Sequence, residues 1–517
     1  MMLPTLDLGS LAAAAATVFV FLALRRFVDF RARAKAIGPD LPGFRLTGWP
    51  LPLPAPWKRL RGVSASGRWL WERKYETFAG FGLDICSTVS ALPRVWAGIL
   101  VADPAVVKEV TSARNRFPKA VQFYRLLAVF GPNIIASEFD EHKKFRKAVA
   151  PCFSERNNRL VWDETIKIVL GLFETEEWRG KSTVELDHCV KITIPIALFV
   201  IGVAGFGRQV SWDADTAIPK GHVMPFKEAL NVASLNLRVP MLLPRWATQL
   251  RASWAHAALA FDDLNVYMKE MIRQRRDAVV REERFDLFSG LLEAADDSKD
   301  QLTDEELIGN VFVFLIAGHE TTAHTLAFTF GLLALYQDEQ EKLYQHITSV
   351  VAADGTMPAY EEMGRLTYSL AVFYETLRLY PPVTNIAKYA AEDSVFTTTA
   401  THPDGTYSPK QVVVPKNTFI GISITGMHYN PRYWDNPNEF RPSRFLSEYP
   451  RDAFMPFSAG ARACIGRKFF ETEGLAILTT LIHRYKITLK DNPEWKGLTV
   501  EQKREQLLRA KPVLTLT

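Results

Sequence analysis

Cysteine is scarce in this chain. Only Cys86, Cys152, Cys189 and Cys464 occur in 517 residues, and no two of them stand at a C-x-x-C spacing. That excludes a secreted disulfide framework and weakens a structural zinc reading. N-x-S/T sequons are absent as well, in keeping with a reduced, cytosol-facing body. Neither sign of charge dominates: 62 Lys and Arg stand among 57 Asp and Glu, for a net charge of +5 and a pI of about 8.8. The basic residues are spread among acidic ones, so nucleic acid is not an expected partner. There is no internal repeat and no long low-complexity run. Beyond the N-terminal region no shift in composition divides the chain, which favours one large domain over the three or so that its length suggests.

The N-terminal region carries an apolar run from Leu8 to Leu24. As a helix it would be ~25 Å long, close to the thickness of the endoplasmic reticulum bilayer. Arg25, Arg26, Arg31, Arg33 and Lys35 follow it, whereas Asp7 alone precedes it among charged residues. The positive-inside rule then predicts a single-pass anchor with the body in the cytosol. A cleaved signal peptide is the weaker alternative, because arginines stand where a small-residue cleavage site belongs. Pro39, Pro42, Pro50, Pro52, Pro54 and Pro56 describe a stiff, extended connection. The expected organisation is an anchor over 1–27, a basic and proline-rich linker over 28–58, and one domain over 59–517.

Local patterns predict a mainly α chain with small β-sheets. Val95 to Val101 reads as a strand, and Asp103-Pro104 as the start of a helix. The clearest helix runs from Asp304 to Tyr336, with Thr303 and Glu306 in a capping-box pattern. Further helices are expected over Glu341–Val351 and Glu361–Leu379, the latter stopped by Pro381-Pro382. Val412 to Pro415 and Phe419 to Ile424 read as strands, and a last long helix should follow Cys464 and end near His483.

Chemistry concentrates in Phe457-Ser-Ala-Gly460-Ala-Arg462-Ala-Cys464-Ile-Gly466. A lone cysteine is by default a small buried hydrophobe. Here Gly460 and Gly466 let backbone approach a flat ligand and aim N–H groups at the sulfur. Arg462 can pair with a carboxylate. Those are the requirements of a haem iron held by an axial thiolate. The pattern F-x-x-G-x-R-x-C-x-G resembles the haem-ligand loop of the cytochrome P-450 superfamily.

Three further segments are similar to motifs of that family, in the same order. Ala317-Gly318-His319-Glu320-Thr321-Thr322 resembles A-G-x-[DE]-T-[TS]. Taken alone it reads as a polar kink in a core helix, with Gly318 admitting a planar cofactor or oxygen. Glu375-Thr-Leu-Arg378, with Pro437-Asn-Glu-Phe440-Arg-Pro442-Ser-Arg444-Phe445, resembles the E-x-x-R helix and its following loop. Alone, such a pair is usually a solvated surface pair. His142-Lys-Lys-Phe-Arg146 resembles W-x-x-x-R, with histidine replacing the tryptophan. Lys388 stands where many relatives carry an arginine, and supplies a point charge in place of a fork.

The resemblance implies a helical, triangular domain holding haem b, iron protoporphyrin IX, on the Cys464 thiolate. It implies propionate contacts from Arg462, His142, Arg146 and Lys388, and close packing by Phe457, Gly460, Gly466, Ala317 and Gly318. Glu320 and Thr321 would guide the protons that split dioxygen, and Glu375, Arg378 and Arg444 would form a structural network. The chain runs only about 50 residues past Cys464, with no flavin or nicotinamide domain. Electrons from NADPH are therefore expected through a separate reductase, with cytochrome b5 as a second donor. Lys143, Lys144, Arg146, Lys147, Arg467 and Lys468 suggest a basic docking face, or equally a solvated helix surface.

Candidate pocket segments are apolar: Phe123–Ile135, Phe312–Ala317 and Val383–Ala387, with Thr384 and Asn385 as hydroxyl anchors. Val223–Pro244 could dip into the membrane. Phe153 to Asn158 and Val161 to Thr165 look similar to membrane-bound basidiomycete enzymes, several of which decorate terpenoids. The implied reaction is hydroxylation of a lipophilic terpenoid, ahead of fatty acids and aromatic xenobiotics. The rivals are a haem protein that does not oxygenate and a haem-thiolate isomerase or peroxygenase.

Overall fold

The computed structural model describes residues 8–37, 41–48, 69–92, 95–207, 212, 218–277, 285–297, 302–512 and 515–517. Most of the proline-rich stretch therefore lies outside the described residues. The described parts of the expected linker are not an extended connection. The N-terminal helix continues past residue 27 to Ala36, since no helix breaker stands before Gly38. Gly43–Gly48 is then a strand paired in parallel with a neighbour at Ser87 to Leu92.

Among the described residues, seven strands form two sheets. The larger runs in the order β1 (Gly43–Gly48), β2 (Ile85–Leu92), β3 (Trp96–Val101), β7 (Phe419–Ser423), β4 (Asn385–Tyr389). The smaller pairs β5 (Ser394–Thr401) with β6 (Tyr407–Val414). β7 is buried along its whole length, as a near-continuous apolar run requires when both faces are covered. β5 instead alternates buried and exposed over its first five residues, the period of a strand with one wet face. Asp103 caps the helix after β3, its carboxylate accepting from the N–H groups of Ala105 (2.9 Å) and Val106 (3.3 Å), with Pro104 at the first helical position.

Helices make up the rest. The central helix, Asp304–Leu335, starts at the expected capping box: Thr303 N–H donates to Glu306 (2.8 Å) and Glu306 N–H to the Thr303 hydroxyl (3.2 Å). It is the one described helix long and apolar enough to cross a membrane, yet 67% of that window is buried inside the protein. We read it as a core helix, and its residues belong to the main hydrophobic core. The expected helix over Glu361–Leu379 is two elements, a 3-10 turn at Tyr360–Arg365 and a helix at Thr367–Leu379. The final long helix is Arg467–Arg484. A second core lies between the larger sheet and the helix Pro104–Ser112.

The Phe153–Thr165 segment serves the fold. Ser154 caps the helix Glu155–Phe173. Asn157 donates to the carbonyls of Ala204 (2.9 Å) and Phe285 (2.8 Å), and the Trp162 indole to Pro358 (2.9 Å).

Candidate active site

The cysteine loop is closed by its own backbone. Cys464 N–H donates to the Phe457 carbonyl at 2.8 Å, and Phe457 packs edge-on against Phe470 at 5.4 Å. Gly460 adopts φ +65°, and a Cβ there would come within 2.4 Å of the Thr111 carbonyl oxygen, so both conformation and space demand glycine. Arg146 donates to the Ala463 carbonyl (3.2 Å), tying the loop to the helix Phe139–Val149. Cys464 is solvent-accessible, although surrounding protein still desolvates its sulfur. Burial pushes its thiol up, while the Gly466 N–H and the charges of Arg467 and Arg146 pull it down.

Beside the loop, basic side chains converge with little to neutralise them. Arg462 donates to the carbonyls of Ile134 (3.1 Å) and Ser137 and pairs with Glu138, but its buried Nε has no partner. Arg114 lies 3.5 Å from the same Glu138 carboxylate, and its buried Nε also lacks a hydrogen bond. Lys119 donates to the Ile135 carbonyl (2.7 Å) and Lys388 to that of Phe117 (2.8 Å). Their charges feel one another. Burial and Arg114 hold Arg462 down to about 9 and Lys388 down to about 8. Lys119 is held well below the ordinary lysine value by burial, Arg462 and Lys388. Burial, then Arg114, Arg146 and Lys119, bring His142 down to about 4, so its ring is neutral, and its buried Nδ1 has no partner.

The central helix supplies the acid and the alcohol. Thr321 donates to the Ala317 carbonyl (2.8 Å), leaving its oxygen lone pairs free to accept. Glu320 accepts from the Thr515 hydroxyl at 3.1 Å, and its other oxygen is buried without a partner. Burial raises this carboxyl to about 7, near the operating point of a proton shuttle. Thr322 turns the other way, donating to Glu473 (3.0 Å) on the helix after Cys464. Gly318 does not open the helix to a flat ligand. A Cβ there would meet Ile201 Cδ1 at 2.8 Å, so its missing side chain serves helix packing, and the cofactor contact expected of it is corrected.

The buttress is assembled as the motifs implied. Arg378 makes two 2.7 Å bonds to Glu375 and donates to the carbonyls of His428 (3.0 Å), Pro437 (2.7 Å) and Glu439 (3.0 Å). Arg444 reaches Glu375 at 3.3 Å. Glu375 and Arg378 have 0% exposed side chains, so this is no solvated pair. His428 extends the network. Its Nε2 accepts from Met455 N–H (2.9 Å), which leaves the proton on Nδ1 to donate to the Arg378 carbonyl (3.1 Å). The E-x-x-R helix is thereby linked to the strand of chain that leads into Phe457. Arg114, Lys119, Glu138 and His428 escaped sequence reasoning because none sits in a spaced motif. Tertiary packing brings these distant cations together, Lys119 beside Lys388 and Arg114 with Arg462 at Glu138.

These groups fit a haem. Two buried guanidinium Nε atoms and an imidazole nitrogen lack partners, and two propionates would supply acceptors and charge. A metal ion would draw off the thiol proton that burial retains. Cys464 would hold the iron, and Arg462, Arg114, His142, Arg146, Lys119 and Lys388 would be the partners available to its carboxylates. When bound, the haem supplies the oxygen chemistry. The chain's own part would be to hold the Cys464 sulfur, neutralise the propionates and handle protons at Glu320 and Thr321.

The comparisons agree. Residues 97–512 match the family model described as Cytochrome P450. The chain is 50% identical over 503 residues to Cytochrome P450 monooxygenase 124 of Postia placenta, covering 96% of this chain and 95% of that protein. It is 29% identical to Cytochrome P450 monooxygenase ORF6 of Penicillium roqueforti, covering 84% and 80%. Its fold is similar to the crystal structure of the cytochrome P450DA heme domain, with a TM-score of 0.66, 25% identity, and coverage of 85% of this chain and 91% of that one. With the thiolate loop, the proton-bearing helix and the buried buttress in one body, this chain belongs to the cytochrome P450 family of monooxygenases.

Proposed function

We propose that the protein inserts one oxygen atom of dioxygen into a lipophilic small molecule, hydroxylating a terpenoid, with electrons from NADPH delivered by a separate reductase. The observation that carries the oxygenase reading is the conjunction of Cys464 with the cation cluster and the Glu320–Thr321 pair. A carrier or sensor of haem has no need of a carboxyl raised to about 7 beside a threonine with free lone pairs. The lipophilic substrate rests on the aromatic wall near the central helix. Phe130 stacks on Phe261 at 5.5 Å and tilts against Phe312 at 4.4 Å. The 131–134 segment crosses that helix, with Ile134 N–H donating to Asn310 (3.0 Å).

The reductase would dock where Lys143, Lys147 and Lys468 are exposed. Lys144 and Arg467 are less available, being engaged by Glu306 and Glu471 at 2.7 Å each. A membrane site is supported by exposed apolar side chains in two places. Phe19, Phe21, Leu24 and Phe27 project from the N-terminal helix, and Leu242, Trp246 and Leu250 from the 238–250 region. Anchoring in the endoplasmic reticulum would place both against the bilayer.

The carbon monoxide difference spectrum of the dithionite-reduced protein tests the core of the proposal. The red-shifted Soret band of thiolate-ligated ferrous haem is expected. A folded, haem-loaded sample without it would rule the mechanism out. Binding titrations with a terpenoid panel test the substrate class, and a panel that gives no spectral shift would remove terpenoids from it.

A further inference from the structure

The end of the described chain reaches the proton-bearing acid. The Thr515 hydroxyl donates to Glu320 Oε1 at 3.1 Å, and Thr515 is 7% exposed. The neighbouring Leu516, 1% exposed, donates its N–H to the Pro382 carbonyl at 2.9 Å. Lys511 and Thr517 exchange backbone bonds of 2.7 and 3.0 Å. Thr515 is thus fixed from three sides: by this backbone pairing, by Pro382 at the head of the apolar 383–387 segment, and by burial.

Among the described residues no other side chain bonds the Glu320 carboxyl. Its second oxygen is buried without a partner. Only burial and the Thr515 hydrogen bond act on it, and no charged side chain among the described residues does. Its titratable neighbours on the same helix are His319 and His324. Burial lowers both, His324 to about 4, so both rings are neutral near pH 7. From the helix after Cys464, Glu473 is taken up by Thr322.

We propose that Thr515 is a positioning residue that holds the Glu320 carboxylate, so that this hydroxyl sets both where the acid points and when it carries its proton. A hydroxyl donor stabilises the ionised form over the protonated one. Removing it leaves both oxygens unsatisfied, and Glu320 keeps its proton to higher pH. Because the adjacent Leu516 is tied to Pro382, the acid is mechanically joined to the apolar wall on which substrate would press. This inference rests on the proposed oxygenase reading for its consequence in catalysis, but not for the contact itself.

The test is an infrared pH titration of the ferric holoprotein. The protonated Glu320 carboxyl band is identified by its absence in E320Q. Loss of one hydrogen bond to the charged form implies an upward shift of roughly one pH unit in T515V and T515A, with T515S titrating like the wild type. An unchanged midpoint in T515V and T515A overturns the proposal. So does an equal shift in T515S, since that traces the effect to packing and not to the hydroxyl. The titration reads Glu320 directly, so a failure of the haem-thiolate reading shows separately, in the carbon monoxide spectrum.

Discussion

Replacing Glu375 with alanine should damage the cysteine loop without touching it. In the native protein Arg378 is 0% exposed and donates to both oxygens of Glu375 at 2.7 Å. The variant leaves that guanidinium buried without its counter-charge. Breaking such a pair on one side costs ~3–5 kcal/mol, a large share of the ~5–15 kcal/mol that typically separates folded from unfolded states. Arg444 and the Arg441 N–H lose an acceptor too. The strain should travel along a defined route, because Arg378 bonds the His428 carbonyl and the His428 ring bonds Met455 N–H, shortly before the loop. Urea unfolding followed by circular dichroism should show the loss of ~3–5 kcal/mol. The reduced carbon monoxide spectrum should shift from the thiolate band toward the band of haem without thiolate. The double variant E375L/R378M should recover part of the stability, since no buried charge is left without a partner. An E375A protein within ~1 kcal/mol of wild type, with its thiolate band intact, would refute the reasoning.

Other consequences follow from the same structure. C464A should retain a fold by circular dichroism but lose the thiolate band and monooxygenase turnover. R462M should release haem to an acceptor protein about tenfold faster than wild type, as the loss of ~1.4 kcal/mol of charge-assisted bonding implies, with R462K between the two. Burial and Arg378 lower the His428 pKa to about 3. The unfolded chain takes up that proton first, so His428 erodes stability as pH falls from ~6.5 toward about 3. H428Q should flatten the stability profile by about one proton over that window, measured by denaturation at a series of pH values. Lys143→Glu should slow reduction by a reductase at low salt with haem content unchanged, and an unaltered rate would count against the docking face.

Much of the site was legible because it lies in short, spaced patterns. The eight residues from Phe457 to Cys464 close a loop with a single backbone bond, so their spacing alone announces the ligand. Glu375 and Arg378 share a helix face by period, and Thr303 with Glu306 marks the start of the central helix. Other features depend on what packs where. Gly318 looked like room for a cofactor and is room for Ile201. The split at Leu366 inside an expected single helix, and the strand at Gly43–Gly48 inside an expected linker, were set by neighbours and not by local propensity.

By itself, then, the sequence picked out the cysteine loop, the acid and alcohol of the central helix and the mainly helical class, because each is written within a few residues of itself. Only the tertiary structure decided that Arg114, Lys119 and Glu138 join Arg462, Lys388 and His142, and that Thr515 meets Glu320 across 195 positions of chain. Electrostatics and hydrogen bonding act over a few ångströms of space, and distance along the chain carries no information about them until the fold has closed it.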